Sequence, residues 1–193
     1  MKITKRFIES LDPCDDGYEF WLKAKKPDLA DFMLHALNEN HFKWAIWLFV
    51  RSVEKITNVK LALFSAEQML HIFEEKYPKD NRPRLAIQAT KDYISNPCEE
   101  TVKLYSDAFD EAVEPFIAND TDDTARAVAY YVLCVVAYAI GSEDTYVRAD
   151  LLSTCSNIAN ATIAPDIIYY AISLLKESEN EKENRQTNNR CAR

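Results

Sequence analysis

Two glycines, Gly17 and Gly141, in a chain of 193 residues are the strongest constraint on its fold. Hairpin turns, β-bulges and phosphate-cradling loops all use glycine for left-handed or closely approached backbone. A chain this poor in glycine has few ways to build a sheet rich in tight turns. The seven prolines fall mostly where a helix would begin or end, which is where helices tolerate them. The expected class is all-α, with about eight to nine helices packed as antiparallel hairpins. Glycine scarcity also removes chemistry: no G-x-x-x-x-G-K-[ST], G-x-G-x-x-G or G-x-S-x-G occurs, so the usual nucleotide enzymes and serine hydrolases are disfavoured.

With 48% hydrophobic residues, the chain can bury one substantial core. A single domain is expected over 1–178, followed by a polar tail over 179–193. The basic start "MKITKRFIES" leads into "LDPCDD" rather than an apolar run, so a cytoplasmic location is expected. The longest apolar run, 127–140, falls short of the ~20 residues a bilayer requires. No membrane partner is expected. Five scattered cysteines without C-x-x-C spacing read as reduced thiols, Cys134 and Cys155 as small core residues. A net charge of −8 opposes nucleic-acid binding, which needs a basic face, and suits a basic protein partner or solubility alone.

Helix signals recur along the chain. A short amphipathic helix is expected over 4–11, then a restart with Asp12 as N-cap and Pro13 at the first helical position. Asp28 should cap a third helix. "HFKWAIWLFVRSV" spaces Trp44, Trp47, Leu48 and Arg51 three or four residues apart, a stripe read as core. Thr57 is a candidate cap for a helix carrying Val59, Leu63, Ala66, Leu70, Phe73 and Tyr77 on one face and ending at Pro78. Asn96, Pro97 and Glu99 form a capping arrangement that opens a further helix. "NDTDDTAR" lacks the glycine and terminal glutamate of an EF-hand, so capping is favoured over calcium. His35, His41 and His71 lack the spacing of a helical zinc site. No metal and no cofactor are expected.

"YPKDNRPRLAIQAT" places Arg82 and Arg84 around Pro83 at a helix start, where the exposed N–H groups already carry positive charge. A negative group should therefore lie nearby. Counting back and forward across the short turn at Asn96 brings the arginines toward Asp107 and Asp110, given equal rise per residue. Two readings stand: a structural clamp with Asp107 and Asp110, or an anion site at the helix start. The helix opened by Pro97 also carries Glu111 and Glu114. Like charges four residues apart disfavour a helix, so with Asp120, Asp122 and Asp123 just beyond, this acidic surface is the candidate for binding a partner. A solvated acidic face is the alternative.

The pattern E-x-K-Y-P-x-D-x-R-P-R-x-A-I, here Glu74, Lys76, Tyr77, Pro78, Asp80, Arg82, Pro83, Arg84, Ala86 and Ile87, resembles the predicted immunity-protein family of bacterial polymorphic toxin systems. The upstream "HFKWAIWLFVRSV" and "DPCDDGYEFWLKA" are similar too, as is, more loosely, "DIIYYAISLL" near the end. The resemblance therefore rests mainly on the first half of the chain. It implies an all-helical cytoplasmic protein that binds and neutralises a toxin, and it carries no catalytic residues. Beside it stand a helical anion- or small-molecule-binding protein using Arg82 and Arg84, and a helical scaffold or adaptor.

Overall fold

Among the described residues helix ends are made without glycine, and the computed structural model, which describes residues 1–101, 103 and 163–191, shows how. Three helix-flanking residues take left-handed backbone with a side chain: Asp12 (φ 50°), Lys25 (φ 52°) and Asn40 (φ 61°). Aspartate and asparagine tolerate this region through local hydrogen bonding, whereas lysine has no such compensation.

Seven helices are delimited among the described residues: α1 (Lys5–Ser10), α2 (Asp15–Ala24), α3 (Leu29–Asn38), α4 (Phe42–Ser52), α5 (Lys55–Lys76), α6 (Arg82–Ser95) and α7 (Ala164–Cys191), and the start of a further one appears at Glu99. The class is all-α, as expected. Asp28 caps α3, accepting from the backbone N–H of Ala30 and Asp31, and Thr4 caps α1. Three expected caps are displaced. Asn96 closes α6, and the helix expected from Pro97 begins only at Glu99. Asp12 closes the α1 end in left-handed backbone and Cys14, in extended backbone, precedes the first turn of α2. Glu54, not Thr57, precedes α5, because α4 ends at Ser52 and only Val53 and Glu54 connect the two helices.

Consecutive helices pack as antiparallel pairs, α3 with α4 and α5 with α6, and α7 returns to lie against α3, α4 and α5. The core sits where these meet. Leu29, Phe32 and Met33 from α3, Ile46, Leu48 and Phe49 from α4, Leu61, Met69 and Phe73 from α5, and Ile168 from α7 are essentially inaccessible to water. Of the α5 stripe, Val59, Ala66, Leu70 and Phe73 are buried, while Leu63 and Tyr77 are half-buried. Phe64 on α5 stacks on Tyr170 of α7 with ring centroids 4.1 Å apart. The polar stretch after Ser178 is helical to Cys191, and its Glu179 accepts from the N-terminal ammonium at 2.7 Å.

Polar groups inside the core bond to helix carbonyls. Asn58, 1% exposed, donates from Nδ2 to the Val50 carbonyl at 2.9 Å. That carbonyl belongs to the last turn of α4, which lacks an intrahelical donor. Ser65 and Thr90 return their hydroxyls to Leu61 and Ala86 one turn earlier. Among the described residues, no helix is long and apolar enough to cross a membrane.

Candidate functional site

The corner between α5 and α6 contains Arg82 and Arg84, and their carboxylates are local. Pro83 lies in the first turn of α6, with Asn81 preceding the helix. Asp80, two residues before Arg82, accepts from the Arg82 backbone N–H at 3.2 Å and from its Nε at 2.8 Å. One carboxylate thus satisfies a free donor of the helix start and neutralises the guanidinium beside it. Arg84 reaches back to the last turns of α5, where Glu74 accepts its Nε at 2.7 Å and its second nitrogen at 2.6 Å. This fork-to-fork geometry is the strongest form of arginine–carboxylate contact. The hydrogen bond to Glu74, with the attraction between the charges, raises the Arg84 pKa.

The remaining residues of the R-P-R pattern hold the same corner. Tyr77 packs its ring 5.0 Å from Phe73, and the Lys76 ammonium lies 5.8 Å from the Tyr77 centroid. Pro78 follows the helix end at Lys76, where it cannot continue the helix. Lower on the pair, Lys91 of α6 meets Glu67 of α5 at 2.7 Å. Two ion pairs thus tie α5 to α6, with His71 and Gln88 lining the groove between them. Asp107 and Asp110, expected opposite the arginines, lie outside the described residues, as do Glu111, Glu114, Asp120, Asp122 and Asp123.

The tryptophan stripe does something the periodicity did not reveal. Trp44 and Trp47 are only half-buried; the core face of α4 belongs to Ala45, Ile46, Leu48, Phe49 and Val50. The indoles instead wall a cavity of about 100 Å³ between α1, α2, α3 and α4, together with Ile8, Pro13, Cys14, Gly17, Trp21, Phe32 and Leu48. Arg51 lies over the outer face of Trp47, 4.3 Å from its centroid. A Cβ on Gly17 would come 3.1 Å from Cys14 Sγ and 3.4 Å from Trp44 Nε1. One of the chain's two glycines thus stands in the first turn of α2, where a side chain would crowd the Cys14 sulfur and touch the Trp44 indole. That first-turn glycine is the sequence feature that marks this wall of the cavity.

His41 stacks on Trp44 with centroids 4.1 Å apart, and Phe20 stacks on His35 at 5.2 Å. These histidines are packed against rings, and no group of three potential ligands for a metal ion forms among the described residues.

No curated protein and no solved structure matches the chain. A family model does, over residues 50–192, a span that begins at the end of α4 and takes in the α5–α6 corner, the second half of the sequence and α7. The shared region thus extends well past the first half on which the resemblance rested, and leaves "DPCDDGYEFWLKA" and most of the tryptophan helix outside it. With the R-P-R pattern folded as the paired corner of an all-helical hairpin and the match running nearly to the end of the sequence, the chain belongs to the family described as Imm-5 like putative immunity protein.

Proposed function

We propose that this protein neutralises a cognate protein toxin by binding it in the cytoplasm of the producing cell, without catalysis. The observation that carries this reading is membership of the immunity family across 50–192. The net charge of −8 supports a basic partner, such as a nuclease with a cationic substrate cleft. Arg82 and Arg84 already hold Asp80 and Glu74, which favours a structural role for this pair over the capture of a free anion. The toxin-facing surface is assigned to Glu111, Glu114, Asp120, Asp122 and Asp123, acids contiguous in the sequence and close to an expected helix end.

The test is co-expression with the toxin encoded by the neighbouring gene, followed by association kinetics at low and high salt. Wild-type protein should rescue growth and bind with a rate that falls as salt rises. The double variant Glu111→Lys, Glu114→Lys should fold, associate more slowly and lose salt dependence. Failure of wild-type protein to rescue would refute the immunity reading. Unchanged kinetics of the double variant would move the interface elsewhere.

A further inference from the structure

The indole-walled cavity has three properties that a packing fault need not share. It is lined almost wholly by apolar atoms, with Trp21, Trp44 and Trp47 forming much of its wall. At about 100 Å³ it is smaller than the ~150 Å³ apolar cavity that admits benzene, which suits an aliphatic side chain. The Nε1–H of Trp21, one of the lining residues, is shielded from water and has no hydrogen-bond partner. A buried donor in that state gains from an incoming acceptor.

The rim adds charge of one sign. Pro13 and Cys14 line the cavity, and Asp12, Asp15 and Asp16 on either side of them are exposed. None of the three is engaged in an ion pair or hydrogen bond through its carboxylate among the described residues. Asp15 and Asp16 are well placed at the start of α2, whereas Asp12 lies before that helix in left-handed backbone. Every lining residue, from Ile8 to Leu48, precedes the span the family model matches. The matched span holds what members share, whereas discrimination between partners needs what they do not share.

We propose that this cavity is a socket for an apolar side chain of the protein partner, presented next to a lysine or arginine that meets the Asp12, Asp15 and Asp16 rim. The backbone carbonyl of the same segment would accept from Trp21 Nε1. This assignment rests on the immunity reading for the identity of the partner, and it places a second, partner-specific contact away from the acidic segment 111–123.

The full chain, labelled with ¹⁵N, is titrated with three capped tripeptides while the indole N–H resonances are followed: Lys-Leu-Lys, Glu-Leu-Glu and Lys-Ala-Lys. The first should shift the Trp21 resonance saturably, and bind at least about fivefold more tightly than the other two. Cys14→Met plugs the socket from an exposed position that makes no side-chain capping bond. It should abolish the shift while leaving the rest of the spectrum in place. Should that variant misfold, Asp15→Asn with Asp16→Asn removes two of the three rim charges instead and should weaken Lys-Leu-Lys while leaving Glu-Leu-Glu no weaker. Equal response to all three peptides, or none, overturns the proposal. If wild-type protein rescues cells from the toxin and Cys14→Met binds that toxin equally well, the socket falls and the immunity reading stands. If wild-type protein fails to rescue, the immunity reading falls, and the peptide titration still decides the socket. Loss of a dimer in Cys14→Met with toxin affinity unchanged would seat a second copy of the chain there, and also overturns the proposal.

Discussion

Replacing Asn58 by aspartate alters one atom at the junction of α4 and α5, and its cost can be worked out. Asn58 is 1% exposed, its Nδ2 donates to the Val50 carbonyl at 2.9 Å, and its Oδ1 is buried without a partner. A carboxylate there would lose the donor and face the Val50 oxygen as a buried charge. The alternative is to keep a proton, and the protonated acid can still donate to Val50. Burial therefore raises the folded pKa of the new group above its unfolded value of about 3.9. The sign follows from linkage: the penalty is absent below ~3.9, grows by about 1.4 kcal/mol per pH unit above it, and levels off once the folded pKa is passed. If the proton is held to neutrality, Asn58→Asp costs up to about 4 kcal/mol at pH 7 but only ~1 kcal/mol near pH 4. Asn58→Ala is the control. It leaves the Val50 carbonyl unsatisfied at about 1–3 kcal/mol with no dependence on pH relative to wild type. Urea unfolding followed by tryptophan fluorescence reads both, since Trp21, Trp44 and Trp47 all lie in α2 and α4. A deficit for Asn58→Asp that is flat between pH 5 and 7.5, or smaller than ~0.5 kcal/mol, would show that this hydrogen bond is not what closes α4.

Four further outcomes are expected. Lys25→Gly should stabilise the protein by about 0.5–1 kcal/mol, because Lys25 ends α2 at φ 52° and ψ 33° and glycine removes the left-handed strain; a lowered melting temperature would contradict this. Arg84→Ala and Glu74→Ala should each lower the urea midpoint, with coupling in the double variant that shrinks at 1 M salt, because Arg84 is 63% exposed and the pair is screened; additive effects would remove the pair from the energetics of the corner. For Asp28, burial pushes the carboxyl pKa up but is outweighed by hydrogen bonds from the N-terminal ammonium and the Asp31 and Ala30 backbone, so its pKa is lowered. Its contribution is then present above ~3.9 and lost as pH falls through the lower folded value, so the cost of Asp28→Ala, about 0.5–2 kcal/mol near neutrality, should vanish in acid. A deficit that persists at pH 2.5 would count against that cap. Finally, hydrogen bonding by Thr101, first through its backbone and then its hydroxyl, lowers the Cys98 thiol pKa. Iodoacetamide at pH 7 should therefore label Cys98 ahead of the more exposed Cys14, and labelling in order of exposure would refute it.

What could be read from the residues alone, and what could not, divides by the range of the interaction. Pro83 at the start of α6, Asp28 before α3 and the α5 stripe through Phe73 are local or periodic features, and helix geometry turns them directly into structure. The displaced caps at Asp12 and Thr57 failed because a capping side chain competes with chain direction. α1 had first to end, which placed Asp12 in left-handed backbone, and the two-residue link after α4 began α5 before Thr57. The arginines show how a local acid enters beside one named by spacing, with Asp107 and Asp110 outside the described residues. Spacing along an antiparallel pair points Arg84 at any acid the right number of residues away, but a guanidinium on four rotatable bonds takes the carboxylate that costs least to reach. Here the described carboxylates are Glu74 on the preceding helix and, for Arg82, Asp80 two residues back. The cavity was the least legible feature, since it is defined by what four elements fail to fill. Periodicity correctly grouped Trp44, Trp47 and Leu48, yet it cannot tell a stripe that packs from a stripe that walls a void. Only Gly17 held that information: a Cβ there would crowd the Cys14 sulfur at 3.1 Å and lie in contact with the Trp44 indole at 3.4 Å, so the glycine sits against two of the residues that wall the cavity. Where glycine is scarce, its position inside a helix marks a close approach that the surrounding apolar pattern leaves unstated.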